Sequence, residues 1–213
     1  MPKRTNKRIV TIKIGSSVLL TQRNKLDEFR IAHIADQILS LKEKGIGVVL
    51  VVSGAVACGA NYIHFSSEDK QLKMAAAGIG QAYLNSIFQQ IFSKKGLRIA
   101  QILLTNELID SKSKKKELND LIHYYLQIGV VPVINENDVV DLNSFGGNDF
   151  LAANMAKLLK VDQLLILSTM TGSNFGVGGG KAKLQAVAML KEKNIQASIV
   201  NGKTKNILLE ALL

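Results

Sequence analysis

Along this chain the spacing of apolar positions alternates between the near-continuous runs of buried strands and the three-to-four spacing of helices. Arg8–Ile14 reads as a buried strand. Leu26–Lys44 follows with Ile31, Ile34, Ile38 and Leu41 on one helical face, and Gly45 marks its stop. The β-branched run Ile46–Val52 predicts a second strand, ending in the small-residue turn Ser53-Gly54-Ala55. A long helix over roughly Met74–Phe92 leads to a strand at Arg98–Leu104. A helix over Glu117–Gln127, stopped by Gly129, precedes the strand Val130–Ile134. Asn148 or Asp149 caps a helix reaching about Leu159, and a strand follows at Gln163–Leu167. Beyond a glycine cluster come a helix over Lys183–Lys193, a short strand at Ala197–Val200 and a final helix over Thr204–Leu212.

Such alternation, with strands apolar throughout, predicts an α/β fold: a mainly parallel sheet sandwiched between helices. Neither an internal repeat nor a Pro-, Gly- or Ser-rich linker interrupts it, so residues 1–213 are expected to form a single domain. In open sheets of this kind ligands bind outside the carboxyl ends of the strands, which says where chemistry should gather.

Composition narrows the classes. An apolar fraction of 47% with 21% charged residues excludes a disordered chain. The longest clean apolar runs are strand-sized, so no membrane span is expected. Lys13 interrupts any secretory core near the N-terminus, and a cytoplasmic protein is expected. Cys58 is the sole cysteine, which excludes a disulfide framework and a cysteine-based zinc site. Because His33, His64 and His123 are scattered, no protein-held metal site is expected either. Beside the net charge of +10, basic residues cluster at Lys3, Arg4, Lys7 and Arg8 and at Lys112, Lys114, Lys115 and Lys116. Neither cluster is interleaved with aromatics, so a solvated basic face is expected rather than a nucleic-acid surface.

The strand ends carry a coherent set. After the first strand's Lys13 stand Gly15-Ser16-Ser17, and after the second Ser53-Gly54-Ala55. The fourth delivers Asn135-Glu136-Asn137-Asp138 and then Gly146-Gly147-Asn148-Asp149, and the fifth Ser168-Thr169. Gly176-Val177-Gly178-Gly179-Gly180 opens the next helix, with Lys183 in its first turn. A lysine within a strand is normally an edge residue, but Ile12 and Ile14 place Lys13 in a central run. A glycine cluster alone is a flexible loop; before a helix, its N–H groups and the helix dipole suit phosphate oxygens. Ser53 lacks the G-x-S-x-G elbow of a serine nucleophile, and no Walker A sequence is present. Cys58 has no base partner and reads as a packed side chain.

Two lysines without a catalytic histidine suggest phosphoryl transfer, where the protein mainly positions groups and neutralises charge. A carboxylate acceptor fits, since it is ionised at neutral pH with a pKa of about 4.3 and needs no general base.

These segments resemble the glutamate 5-kinases, a branch of the amino acid kinases. The resemblance rests on Val10-Thr11-Ile12-Lys13-Ile14-Gly15-Ser16-Ser17-Val18-Leu19, Val52-Ser53-Gly54-Ala55-Val56-Ala57-Cys58-Gly59 and Gln101-Ile102-Leu103-Leu104-Thr105. It rests further on Val131-Pro132-Val133-Ile134-Asn135-Glu136-Asn137-Asp138, the segment most specific to this branch, and on the stretch from Gly176 to Ala186. It implies that Lys13 and Lys183 contact ATP phosphates and the transferring group, with Asp149 holding both lysines. It further implies that Ser53, Gly54, Asp138 and Asn148 bind L-glutamate. Gly15, Ser168, Thr169, Val177, Gly178, Gly179, Gly180, Lys181 and Ala182 would bind nucleotide. ATP with Mg2+, a glutamyl 5-phosphate product on the route to proline, possible proline feedback and a homo-oligomer belong to the same expectation.

The chain departs from the family pattern in three ways. Gly147 stands where an Asp is usual, Thr169 and Thr171 stand where Asp residues are usual, and several dozen residues expected between Gly172 and Gly176 are absent. The tail also stops short of the usual final strand, without the RNA-modification-type domain that many relatives carry. A trimmed lid and a segment missing from the chain as given are both open. Rival readings are an acetylglutamate or nucleoside monophosphate kinase, and a non-catalytic paralogue.

Overall fold

The computed structural model describes residues 8–63, 69–169, 180–191 and 193–213. Six strands form one sheet: β1 (Ile9–Ile14), β2 (Gly47–Val52), β3 (Arg98–Leu104), β4 (Val130–Glu136), β5 (Gln163–Ser168) and β6 (Gln196–Asn201). Their order is β3-β4-β2-β1-β5-β6, and every neighbouring pair is parallel. Residues of β1, β2, β4 and β5 are buried on both faces, which is why they read as unbroken apolar runs.

Helices cover both faces. On one, Val10, Ile12, Val48, Leu50, Val133 and Leu165 form a core with α2 (Glu28–Glu43), α4 (Lys70–Ser93) and α9 (Ile207–Leu212). On the other, Val49, Val51, Ile134, Leu164 and Ile166 pack against α6 (Lys112–Gln127), α7 (Asn148–Leu159) and α8 (Gly180–Lys191). Asp27 and Asp69 cap α2 and α4 by accepting the N–H groups of Arg30 and Leu72, each at 2.9 Å.

Several boundaries differ from the sequence reading. The helices α1 (Ser16–Leu19), α3 (Ala55–Gly59) and α5 (Asn106–Asp110) were not expected, since four or five residues carry no helical period. β4 runs two residues beyond Ile134, taking Asn135 and Glu136 into the buried sheet. α6 begins at Lys112 and α4 at Lys70, each several residues before the expected start. Gly147, not Asn148 or Asp149, occupies the cap position of α7, which contains both of those residues in its first turn.

Among the described residues, no helix is long and apolar enough to cross a membrane.

Candidate active site

The chain runs from β1 to β2 on one side and returns to β5 on the other, so the strand order reverses at β1. Crevices at such a reversal are where open α/β sheets bind ligands. Lys13 points from this central strand toward α7, on the face it shares with Thr11. Its Nζ lies 2.8 Å from Asp149 Oδ1, while Lys183 Nζ donates to Asp149 Oδ2 at 3.1 Å. Lys13, Asp149 and Lys183 are 5%, 7% and 8% exposed, so the cluster is nearly dry. Two cations on one carboxylate leave a net positive charge in a poorly solvated site, a costly arrangement that an anionic ligand relieves.

Burial depresses the Lys13 ammonium below its usual range. The charge and hydrogen bond of Asp149 oppose that shift, and the nearby Lys183 adds to it. Gly15 follows directly. A Cβ there would lie 3.1 Å from Leu167 O, a tight approach, and 3.7 Å from Lys13 Nζ, an ordinary contact.

The remaining expected residues fall around this centre. Ser53 and Gly54 lie between β2 and α3, at the same sheet edge. Ser168 ends β5, buried, with its carbonyl accepting Gly202 N–H at 3.0 Å. Thr169 N–H donates to Ser17 Oγ at 3.4 Å, tying the ends of β5 and β1 together. Gly180, Lys181 and Ala182 open α8 ahead of Lys183. Val177, Gly178 and Gly179 lie outside the described residues. Asn148 Oδ1 is buried without a hydrogen-bond partner among the described residues, an acceptor placed one residue before Asp149. Asp138 is half-buried, and its Oδ1 accepts Asn143 N–H at 2.9 Å. Burial raises its carboxyl above the usual range and Asp141 repels its charge, against the Asn143 hydrogen bond.

Sequence reading missed Gln81. This α4 residue is buried, and its Oε1 accepts Asn135 Nδ2–H at 2.7 Å, tying α4 to the end of β4. A polar residue on the buried side of a long helix was the only signal. Cys58 is buried and its thiol is pushed up to about 11 by burial, in keeping with a packed, unreactive side chain. A cleft of about 560 Å³ lies at the opposite sheet edge, between Lys157, Lys160 and Lys193. Those lysines sit near the carboxyl ends of α7 and α8, where they complement the helix dipoles. Despite the cleft's size, the buried charge cluster is the better guide to chemistry.

Among the described residues, no three His, Cys, Asp or Glu side chains converge on a metal position.

The chain matches the model of the amino acid kinase family over residues 7–172. It is 33% identical to a glutamate 5-kinase of Aquifex aeolicus over 93% of this chain, spanning 65% of that relative's length. It is 32% identical to a glutamate 5-kinase of Clostridium acetobutylicum, over 91% of this chain and 86% of the relative. A third, from Thermus thermophilus, is 34% identical over 99% of this chain and 66% of its own. The first of these similarities extends over 231 residues although this chain contributes 93% of its 213, so the aligned part of that relative is about 30 residues longer. A UMP kinase of Ureaplasma parvum shares the fold, with a TM-score of 0.65 and 16% identity over 97% of this chain and 95% of that one. The UMP kinase of Bacillus anthracis superposes equally, with a TM-score of 0.65 at 14% identity over 96% and 91%. With the family model covering well over half its length, and relatives about one-third identical along almost all of it, this chain belongs to the amino acid kinase family.

Proposed function

We propose that this protein transfers the γ-phosphoryl group of ATP to the side-chain carboxylate of L-glutamate, giving L-glutamyl 5-phosphate and ADP, a first step toward proline. The observation that carries this reading is the buried Lys13–Asp149–Lys183 cluster at the strand-order reversal. The relatives named glutamate 5-kinase support the choice of acceptor.

In this reading a glutamate carboxylate oxygen bonds to the γ-phosphorus as the bond to the bridging oxygen of ADP breaks. The acceptor is already ionised, so no proton has to leave it. What remains is repulsion between an anionic nucleophile and anionic phosphates. Lys13 and Lys183 neutralise it, and Asp149 holds the two ammonium groups in place before the nucleotide arrives. Asp138 and Asn148 offer acceptors suited to the α-ammonium of glutamate, with Ser53 and Gly54 beside them. Gly15, Ser168, Thr169 and the segment from Val177 through Ala182 hold the nucleotide. Mg2+ would be held by the phosphates of ATP themselves, neutralising their charge. A cytoplasmic setting, homo-oligomeric assembly and proline feedback complete the proposal by family analogy alone.

The test is ADP release by the purified chain with glutamate, acetylglutamate or UMP as acceptor, with hydroxylamine trapping the acyl phosphate. Release with glutamate, together with hydroxamate, is expected. Turnover on another acceptor overturns the glutamate reading. Nucleotide binding without turnover on any acceptor overturns it in favour of a non-catalytic protein.

A further inference from the structure

Glu136 is a buried carboxylate to which the phosphoryl-transfer reading gives no task. It is the last residue of β4 and 3% exposed. Its Oε2 accepts the Phe145 N–H at 3.1 Å, and the nearby Gly147 N–H favours the charged carboxylate. No ion pair to it occurs among the described residues, while Asp138 and Asp141 repel its charge. Burial raises its carboxyl above the usual range, against the pull of the two backbone donors. A buried acid without a cation is expensive, so its presence asks for a geometric reason.

That reason lies in the segment it grips. The chain leaves the sheet after Glu136, passes Asp138 and returns through Phe145, Gly146 and Gly147 into α7. Gly147 has φ 116° and ψ 157°, a backbone state essentially reserved for glycine, and the next two residues are Asn148 and Asp149. A grip at Phe145 therefore sets the turn that leads through Gly147 into both. Behind Glu136 the arrangement is braced. Its own N–H donates to Asn135 Oδ1 at 2.9 Å, and Asn135 donates to Gln81 of α4.

We propose that Glu136 is a positioning residue for the acceptor half of the site, its carboxylate fixing the Phe145 amide, and with it the turn at Gly147, so that Asn148 and Asp149 meet the substrate and the two lysines. The proposal rests on the glutamate kinase reading for the identity of the acceptor. A carboxylate suits this task because both oxygens only accept. A glutamine offers one acceptor and turns an N–H2 toward the other donor. An aspartate keeps the charge and falls one methylene short.

The experiment compares the full-length protein with Glu136→Gln and Glu136→Asp. Amide exchange at Phe145, followed by NMR, reads the tether without substrate, and steady-state kinetics read its consequence. Both variants are expected to exchange this amide about 10-fold faster and to raise KM for glutamate about 10-fold, with KM for ATP changed less than about twofold. The melting temperature of Glu136→Gln should not fall, since a buried charge is removed. Unchanged exchange at Phe145 overturns the tether. An equal rise in both KM values, or a rise that merely follows a lower melting temperature, overturns the positioning role. A wild-type protein inactive on glutamate would sink the proposed function alone, and the exchange measurement would still decide the tether.

Discussion

Asp149 pairs with Lys13 through Oδ1 and accepts a hydrogen bond from Lys183 on Oδ2, within a nearly dry cluster. The sequence suggested either a helix cap or an organiser of two lysines at this position, and the geometry separates them, because Gly147 holds the cap position. Asp149→Asn keeps the shape but leaves two buried ammonium groups uncompensated, so it is expected to lose about 3–5 kcal/mol of stability and most of its turnover. Lys13→Ala and Lys183→Ala should likewise lower kcat far more than they alter glutamate affinity, as neutralisation matters most in the transition state. A well-folded Asn variant with near-normal kcat would refute the organiser. The pH profile carries the same argument with a definite sign. Lys13 loses its proton below the usual 10.5, so kcat/KM should fall on the alkaline side as pH rises through that depressed pKa. Asp149 opposes the depression, so the residual activity of Asp149→Asn should fall at lower pH than in the wild type. In stability terms the unfolded chain binds this proton more readily, so between the depressed pKa and 10.5 Lys13 destabilises the fold less as pH rises. An alkaline limb that stays in place would argue against the coupling.

At the scale of elements, α3 and α4 meet through glycine. A Cβ at Gly80 would lie 1.8 Å from Ala55 O, and one at Gly59 would lie 1.8 Å from Ala76 O. The helices can approach this closely only without side chains at both points. Gly80→Ala should destabilise by about 1–3 kcal/mol or more, measured by denaturant unfolding. Because α3 follows Ser53-Gly54, the same variant should weaken substrate binding, and unchanged stability would show that the crossing can relax. Thr11 makes the opposite case. It is fully buried in β1 and its hydroxyl has no partner among the described residues. Thr11→Val replaces that hydroxyl with a methyl group amid Val49 and Leu164, and stability should rise by roughly 1 kcal/mol. A lower melting temperature would reveal a partner for the hydroxyl. The strands were legible because a parallel sheet covered on both faces demands apolar residues throughout. The end of β4 was not, since Asn135 and Glu136 are polar residues made tolerable by Gln81 and the returning loop.

At the scale of the whole molecule, the last helix is fastened to the first elements. Arg8 donates to Leu212 O at 2.6 Å and to Gln163 Oε1 at 3.0 Å, and Gln37 Oε1 accepts the Leu208 N–H at 2.9 Å. Gln37→Leu strands that amide in a buried place. A loss of about 1–3 kcal/mol is expected, read as a melting temperature several degrees lower. An unchanged melting temperature would mean that α9 contributes little. The sequence by itself determined the α/β class, the alternation that makes the sheet parallel, and the edge at which Lys13, Asp138, Asp149 and Lys183 gather. Periodicity and strand ends are local properties, and they survive in a one-dimensional reading. Only the tertiary structure decided the strand order that makes β1 the reversal point, and the convergence of Lys13 and Lys183 on one carboxylate. It alone decided the burial of Glu136 beneath the loop as well. The longest of those contacts, Lys13 to Asp149, joins residues 136 positions apart in the chain. Their energies come from desolvation and hydrogen-bond geometry, which exist only once the helices have closed over the sheet.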